Sequence, residues 1–411
     1  MPARTGDQDR VTAWVEIFLR FLRLGLSSFG GPVAHLGYFR TEFVERARWL
    51  DDTTFAEIVA LCSALPGPSS SQVGITIGWR RAGFVGALLA WLAFSAPSAL
   101  ALGAFGLALR EARAVDAGTR ASFVLAGALD ALAGAAAAIV LIAVVQLGRS
   151  LVTTSLARAL ASCAFVLALG IDRSMPSLQW TILLFGGAAG ARFGAARGLP
   201  PAPPPVRLSR NVGVIASVTL VVLLATCPLF ARAGGYLALA ATFFRAGSLV
   251  FGGGHVVLPF LQNLIGAGRV DTATFFAGYG AAQAMPGPLF TFAAFLGAAD
   301  PAVPSGSAGA LVAVSAIFAP SFLLVAAAMP LWGKLRTLPR AGAALAGINA
   351  AVVGLLAAVL VDPIAFALAR NPIGFVTAVA AFTLLRLAKW PPWAVVALCA
   401  AGGAAFRFWT P

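Results

Sequence analysis

The chain has 411 residues, of which 60% are hydrophobic and 11% charged, with a mean hydropathy of +0.89. A soluble globular chain carries about a quarter charged residues, so a water-soluble domain is excluded and the setting is a bilayer. The formal net charge of +14, from 29 basic and 15 acidic residues, comes from arginines set singly or in pairs between apolar stretches. That spacing is loop anchoring by the positive-inside rule and excludes a nucleic-acid surface.

In chain order, Met1 to Arg10 is polar and lacks a signal-peptide core. An amphipathic run from Val11 to Ser28 ends at the pair Gly30-Gly31, and Arg40, Glu42, Glu45, Arg46 and Arg48 make the next stretch interfacial. Asp51 or Asp52 reads as the N-cap of a helix from Thr53 to Leu65, stopped by Pro66-Gly67-Pro68. A second apolar piece runs from Ser69 to Gly78. Neither piece reaches the roughly 20 residues needed to cross the hydrocarbon, so together they predict one broken helix or a re-entrant hairpin. Spans follow at about 84–109, 121–148, 154–171 and 176–193, rich in the small residues that let membrane helices approach. The Leu199-Pro-Pro-Ala-Pro-Pro-Pro-Val-Arg207 segment is a stiff linker. Beyond it lie a span at about 212–230, a broken region at about 236–297, and spans at about 306–331, 343–361, 363–388 and 391–408. Cys62, Cys163, Cys227 and Cys399 are widely separated in apolar surroundings and read as core residues.

The two halves repeat. Arg23, Gly25, Phe29, Gly30 and Gly31 match Arg245, Gly247, Phe251, Gly252 and Gly253 at one constant offset, and Pro66-Gly67-Pro68 matches Pro286-Gly287-Pro288 at nearly the same one. Phe94-Ser-Ala-Pro-Ser98 matches Ile317-Phe-Ala-Pro-Ser321, and Gly127 and Gly134 match Gly347 and Gly354. The organisation is therefore a repeat over 1–198, a Pro-rich cytoplasmic linker over 199–211 and a second repeat over 212–411. The fold class is an all-α polytopic membrane protein with about 10–13 membrane segments.

Arg192, Arg197, Arg207 and Arg210 flank the linker without an acidic residue and place it in the cytoplasm. Counting spans from there puts Asp300 and Asp362 outside, and Lys334, Arg336, Arg340, Arg386, Lys389, Arg149 and Arg80-Arg81 inside. The loop with Arg110, Arg113 and Arg120 disagrees, diluted by Glu111 and Asp116. If each broken region returns to its own side, an odd number of spans separates the repeats, and the second copy is inverted. Inverted repeats with interrupted helices point to a secondary transporter.

A helix broken inside the bilayer leaves backbone groups that only protein or a water-filled cavity can satisfy. The piece beginning at Ser69 would aim its free N–H groups, and about half a positive charge of helix dipole, into the membrane's middle. An anion fits there. Ser69, Ser70, Ser71 and Gln72 add donors, Gly30-Gly31 and Gly252-Gly253-Gly254 allow close backbone approach, and Arg23 and Arg245 supply one positive charge per repeat. The alternative readings are arginines that snorkel to an interface and breaks that merely kink helices.

Phe29-Gly-Gly-Pro-Val-Ala-His35, the two Pro-Gly-Pro elements and Phe251-Gly-Gly-Gly-His-Val-Val-Leu-Pro259 resemble the chromate ion transporter family in its long, two-domain form. The resemblance covers nearly the whole chain. It implies a multi-pass protein of the bacterial inner membrane that exports chromate, a tetrahedral dianion, and so confers resistance. It carries substrate-binding roles onto Arg23, Gly30, Gly31, Pro66, Gly67, Pro68, Arg245, Gly252, Gly253, Pro286, Gly287 and Pro288, to which the reading of the break adds Ser69, Ser70 and Gln72. Pro32 stands opposite Gly254, and Ser69-Ser70-Ser71 opposite Leu289-Phe290-Thr291. The donor-rich first half is therefore the favoured binding half.

His35 and His255 stand beside glycine motifs at non-equivalent positions and are too few for a metal site. They read as structural hydrogen-bonders or, as the alternative, a pH-sensitive gate. Asp130, and secondarily Glu57, are candidates for proton coupling. Neither a cofactor nor a metal is expected, and no enzymatic cluster of His, Cys or paired carboxylates is visible. The expected partners are a chromate or sulfate-like dianion and the lipid bilayer, with room for a homodimer. Sulfate or another tetrahedral oxyanion is the alternative substrate.

Overall fold

The computed structural model describes residues 5–114, 119–170, 177–195, 206, 208–250, 258, 261–262, 265, 269–335 and 337–410. Gly252, Gly253, Gly254 and His255, linker residues 199–205 and 207, and Asp116, Arg197 and Arg336 lie outside the described residues. The described chain is helical throughout, with no strand. Among the described residues, six helices are long and apolar enough to cross a membrane. The protein is an all-α, multi-pass membrane protein.

Each repeat is built on re-entrant hairpins. Helix α1 (Thr5–Ser27) turns at Gly30, where φ is 99°, into α2 (Gly31–Arg40). The chain folds back on itself there. Phe21 packs on Phe39 and Phe43 at ring separations of 5.7 and 4.8 Å, and Arg20 pairs with Glu42. Helix α3 (Asp52–Ala64) then leads through the Pro66-Gly67-Pro68 tip into α4 (Ser69–Ala114). Cys62 Sγ lies 3.6 Å from Thr76 Oγ1. In one continuous helix, those fourteen intervening steps would separate the residues by roughly 20 Å, so the element is a hairpin and not a broken span. Helix α4 reverses again at Ala82-Gly83, where an added methyl on Gly78 would overlap the Gly86 carbonyl. Its second limb, 84–114, crosses the molecule.

After α5 (Arg120–Leu151), α6 (Ser155–Gly170), α7 (Ser177–Phe193) and α8 (Arg210–Arg232), the pattern returns. Helix α9 (Gly235–Leu249) leads to the tip at Val250, and α10 (Thr272–Ala284) leads through Pro286-Gly287-Pro288 to α11 (Phe292–Ala299). Phe275 and Tyr279 lie against Phe292 at 5.3 and 5.9 Å, so this limb pair also folds back. The two hairpins start from one signal. Asp51 accepts from Thr54 N at 2.7 Å and Asp271 from Thr274 N at 2.9 Å, each an N-cap contributing about 1 kcal/mol. Each hairpin stops at a proline: Leu65 and Met285, directly before it, are extended, as the ring of a following proline demands.

The bases of these hairpins lie at opposite ends of the second limb of α4. At its start, Arg81 pairs with Glu16 at 3.3 Å and, with Arg20, covers the Trp49 ring. At its end, Arg110 donates to the carbonyls of Asp300 and Val303 at 3.1 and 3.0 Å, beside the Arg269–Asp300 pair at 3.1 Å. The limb between them is roughly 40 Å long at a rise of about 1.5 Å per residue. Helix α12 (Gly306–Ala328) runs back from Ser305, which donates to Tyr236 Oη, to Trp332, whose indole N–H donates to Glu57 at 3.0 Å.

The last helices are α13 (Pro339–Val359), α14 (Pro372–Arg386) and α15 (Pro392–Trp409). The expected span at 363–388 is divided. Asp362 is non-helical, a helix from Phe366 ends at Ala369, and Asn371 then caps α14 by accepting from Gly374 N at 3.0 Å. With 15 residues, α14 is shorter than the hydrocarbon layer requires. The start signal Asn371-Pro372 lies inside an apolar run that hydropathy alone reads as continuous.

Candidate functional site

The two Pro-Gly-Pro turns meet the ends of α1 and α9 by crossing between repeats. Gly67 N–H donates to Val250 O at 2.6 Å, and Gly287 N–H donates to Ser28 O at 2.9 Å. Ser28 and Val250 are equivalent residues, as are Gly67 and Gly287. Each Pro-Gly-Pro turn is therefore bound by the glycine-motif tip of the other repeat, the reciprocal pattern of a two-fold relation. The surroundings repeat as well. Gly67 lies against Gly247 O and Ser321, and Gly287 against Gly25 O and Ser98. Both glycines have φ near +100° (105° and 93°), a left-handed conformation that an L side chain disfavours by about 1–2 kcal/mol.

The crossings differ in what they face. At the first, Gly67, Ser70, Ser71 and Gln72 are buried. The Gln72 amide donates to Pro66 O at 2.6 Å, and Ser70 Oγ lies 3.2 Å from His35. The second crossing opens into a cavity of about 340 Å³ lined by Gly30, Gly31, Gly287 and Gln283, with Gln146 from α5, Arg386 at the end of α14 and Lys389 just beyond it. Among the described residues, no acidic side chain lines it. Helix α2 begins at this cavity with no side-chain cap at Gly30. The Gly31 N–H, since Pro32 has none, and the positive end of the helix dipole therefore lie at a cavity lined by two cations and two amides. The amides are anchored in part, since Gln283 bonds the buried Tyr279 hydroxyl.

Lys389 has φ of 56°, at a helix end where Trp390 N–H bonds back to Leu384 O at 3.0 Å. Glycine ordinarily fills such a position. A lysine held there, lining a cavity, carries backbone strain of the kind that clusters at functional sites.

A second cavity of about 600 Å³ lies along the same α1–α2 hairpin, lined by Arg23, Ser27, Tyr38, Thr41, Glu42 and Arg46 among others. Arg23 thus stands in this second cavity, whose described lining includes neither Pro68 nor Ser69. Arg245 lies on α9 beside Cys227 of α8. Pro66, Pro68 and Ser69 belong to the first crossing, and Pro286 and Pro288 to the second. Asp130 pairs with Arg407 of α15 at 3.7 Å, and Glu57 accepts from Trp332. Among the described residues no group of three or more His, Cys, Asp or Glu could hold a metal.

Gln146, Gln283, Arg386 and Lys389 were not among the site residues read from the sequence. A signal was available for the amides: Gln146 interrupts an apolar run, and Gln283 stands three residues before Pro286. Arg386 and Lys389 read only as loop anchors, because nothing local ties them to the tips.

Comparison with known proteins adds the family. The sequence pattern of the chromate transporter family matches twice, over residues 15–191 and 237–404. The chain is 28% identical over 367 residues to the chromate transport protein of Pseudomonas aeruginosa, covering 85% of this chain and 81% of that protein. It is 28% identical over 381 residues to the chromate transport protein of Cupriavidus metallidurans, covering 91% and 88%. Identity is again 28% over 362 residues to the probable chromate transport protein of Synechococcus elongatus, covering 83% and 82%. No solved structure matches. With both halves matched in order and the paired tips in contact, the chain belongs to the chromate transporter family.

Proposed function

We propose that this protein is a secondary active transporter that exports chromate across the bacterial inner membrane and so confers chromate resistance. The observation that carries this reading is the cavity at the second crossing. It combines two cationic side chains, two amides and an uncapped helix N-terminus, with no acidic residue in its lining among the described residues. A tetrahedral dianion needs donors from several directions at once, and this set provides them. Hydrogen bonds involving a charged partner contribute about 1.5–3 kcal/mol each, against roughly 0.3–1 kcal/mol for an exposed helix end. Arg386 and Lys389 therefore dominate binding, and the backbone donors orient. In the second cavity Arg23 and Arg46 outnumber Glu42, with which Arg46 pairs at 3.8 Å, and the net positive charge would draw the anion toward the hairpin. The names of the relatives favour chromate over the sulfate alternative.

Loading from within is supported by the cavity's lining, since Arg386 and Lys389 lie where the positive-inside count assigns the chain to the cytoplasm. The repeats are read as inverted, supported by hairpin bases at opposite ends of the 84–114 limb and by the reciprocal crossings. Asp130 and Glu57 each hold a partner, which supports a pairing role for both in place of proton coupling.

The test is chromate accumulation in cells with and without the protein, together with uptake into inverted vesicles. Export predicts lower cellular chromate with the protein and uptake by the vesicles. Equal accumulation in both strains would end this reading. The inversion is tested apart from transport, in a cysteine-free background. Arg81→Cys should be sealed from an impermeant thiol reagent in intact cells and Pro301→Cys labelled, whereas equal labelling removes it.

A further inference from the structure

His35 lies on α2, one turn beyond Gly31, and is 1% exposed. Its Nε2 is 3.2 Å from Ser28 O and its Nδ1 is 3.2 Å from Ser70 Oγ. A carbonyl oxygen can only accept, so Nε2 carries the proton. In the neutral ring Nδ1 then accepts from the Ser70 hydroxyl. The ring is packed edge-on against Phe94 at a centroid distance of 5.3 Å, which leaves it little room to rotate.

The carbonyl that His35 holds is the one that Gly287 N–H also reaches. Ser28 O thus receives a donor from its own repeat and one from the opposite repeat. Ser70 is the second residue of α4, directly after the first Pro-Gly-Pro turn. A single imidazole therefore ties together the tip of the α1–α2 hairpin, the tip of the α3–α4 hairpin and, through the shared carbonyl, the second Pro-Gly-Pro turn. At the offset that relates the repeats, the position equivalent to His35 is Val257. Valine can make neither bond. The duplication carries two crossings, but the sequence provides this brace for only one, and that one borders the cation-lined cavity.

We propose that His35 is a positioning residue for the anion site. It fixes the Ser28–Gly31 turn so that the Gly31 N–H at the start of α2 faces the cavity, and it fastens that turn to Gly287. The link to substrate rests on the reading of the cavity as the chromate site, whereas the brace itself does not.

The experiment uses full-length protein in proteoliposomes, comparing His35→Ala, His35→Gln and Ser70→Ala. It reads the KM and maximal rate of chromate uptake and, separately, backbone hydrogen exchange over 28–34, 69–72, 285–289 and, as a control, α8. For His35→Ala, loss of bonds worth about 1 kcal/mol net predicts a KM raised about fivefold to tenfold, with the maximal rate changed less than about twofold. Exchange should quicken at the three tip segments and stay unchanged in α8. His35→Gln can still donate to Ser28 O and should recover most of the KM. Ser70→Ala loses only the other bond and should raise KM less than His35→Ala does. Unchanged exchange at the tips in all three variants would overturn the brace. Faster exchange at the tips with an unchanged KM would overturn the positioning role. Should the parent itself take up no chromate, the functional reading fails, the positioning role falls with it, and the exchange data still decide the brace.

Discussion

The two Pro-Gly-Pro turns share their letters, their aspartate caps and their crossed hydrogen bonds, yet one is sealed and the other opens on a cavity. The sealed turn is the one with the richer polar sequence. Ser70 bonds the His35 ring and the Gln72 amide N–H donates to Pro66 O, while Ser71 Oγ and Gln72 Oε1 are buried there without a hydrogen-bond partner. The second turn is followed by Leu289, Phe290 and Thr291, and Thr291 Oγ1 donates to Pro288 O at 2.7 Å. Of the polar groups lining its cavity, Gln283 adjoins the turn on α10, while Gln146 comes from α5 and Arg386 and Lys389 from the end of α14 and just beyond it.

The largest expected effect breaks the comparison at its charges. The double variant Arg386→Gln with Lys389→Gln removes two charge-assisted partners worth about 1.5–3 kcal/mol each, and vesicle uptake should fall at least about a hundredfold at equal protein level. A retained rate would mean that the open cavity is not the path. A smaller effect separates the two glycines. In Gly67→Ala the added methyl would meet Gln72 Nε2 at 2.8 Å and Gly247 O at 3.1 Å inside the buried crossing, so folded protein in the membrane should decline. Gly287→Ala meets Ser98 Oγ at 3.1 Å at the cavity's edge. With a backbone strain of about 1–2 kcal/mol in the left-handed region, it should still fold and lose roughly tenfold in transport rate. Thermal unfolding and uptake measured on the same preparations distinguish the two. Equal behaviour would mean that the crossings are interchangeable.

The smallest set concerns the residues that the sequence favoured. Arg23→Ala should reduce uptake several-fold through lost electrostatic attraction. Arg23→Lys should retain most of the rate, since it keeps the charge and loses only the planar fork. Ser69→Ala should change uptake by less than about twofold, because one neutral hydrogen bond is worth roughly 0.5–1.5 kcal/mol and the sealed turn meets no anion. A severe loss in Ser69→Ala would return the site to the first crossing.

Much of the fold was legible. The duplicated glycine motifs and Pro-Gly-Pro turns located all four tips, and Asp51 announced the start of α3. The matching Asp271 cap stood at the same offset as the turns and could have been read with them. Two features were beyond local reading. The crossing of tips between repeats is a long-range pairing that no periodicity encodes, and without it Arg386 and Lys389 are indistinguishable from ordinary loop anchors. The division before α14 was hidden because Asn371-Pro372 sits in a run whose mean hydropathy stays high on both sides. Of the site itself, Gly30, Gly31 and Gly287 were read from sequence and do line the cavity, while the side chains that give it charge were not.

The most direct measurement is the position of the chromium anomalous peak in crystals of the protein grown with chromate. The account predicts a peak in the cavity at the second crossing, within hydrogen-bonding reach of the Gly31 N–H and of the Lys389 or Arg386 side chain. A peak beside Ser69, Ser70 and Gln72 at the first crossing, with the cavity at the second crossing empty, would contradict it.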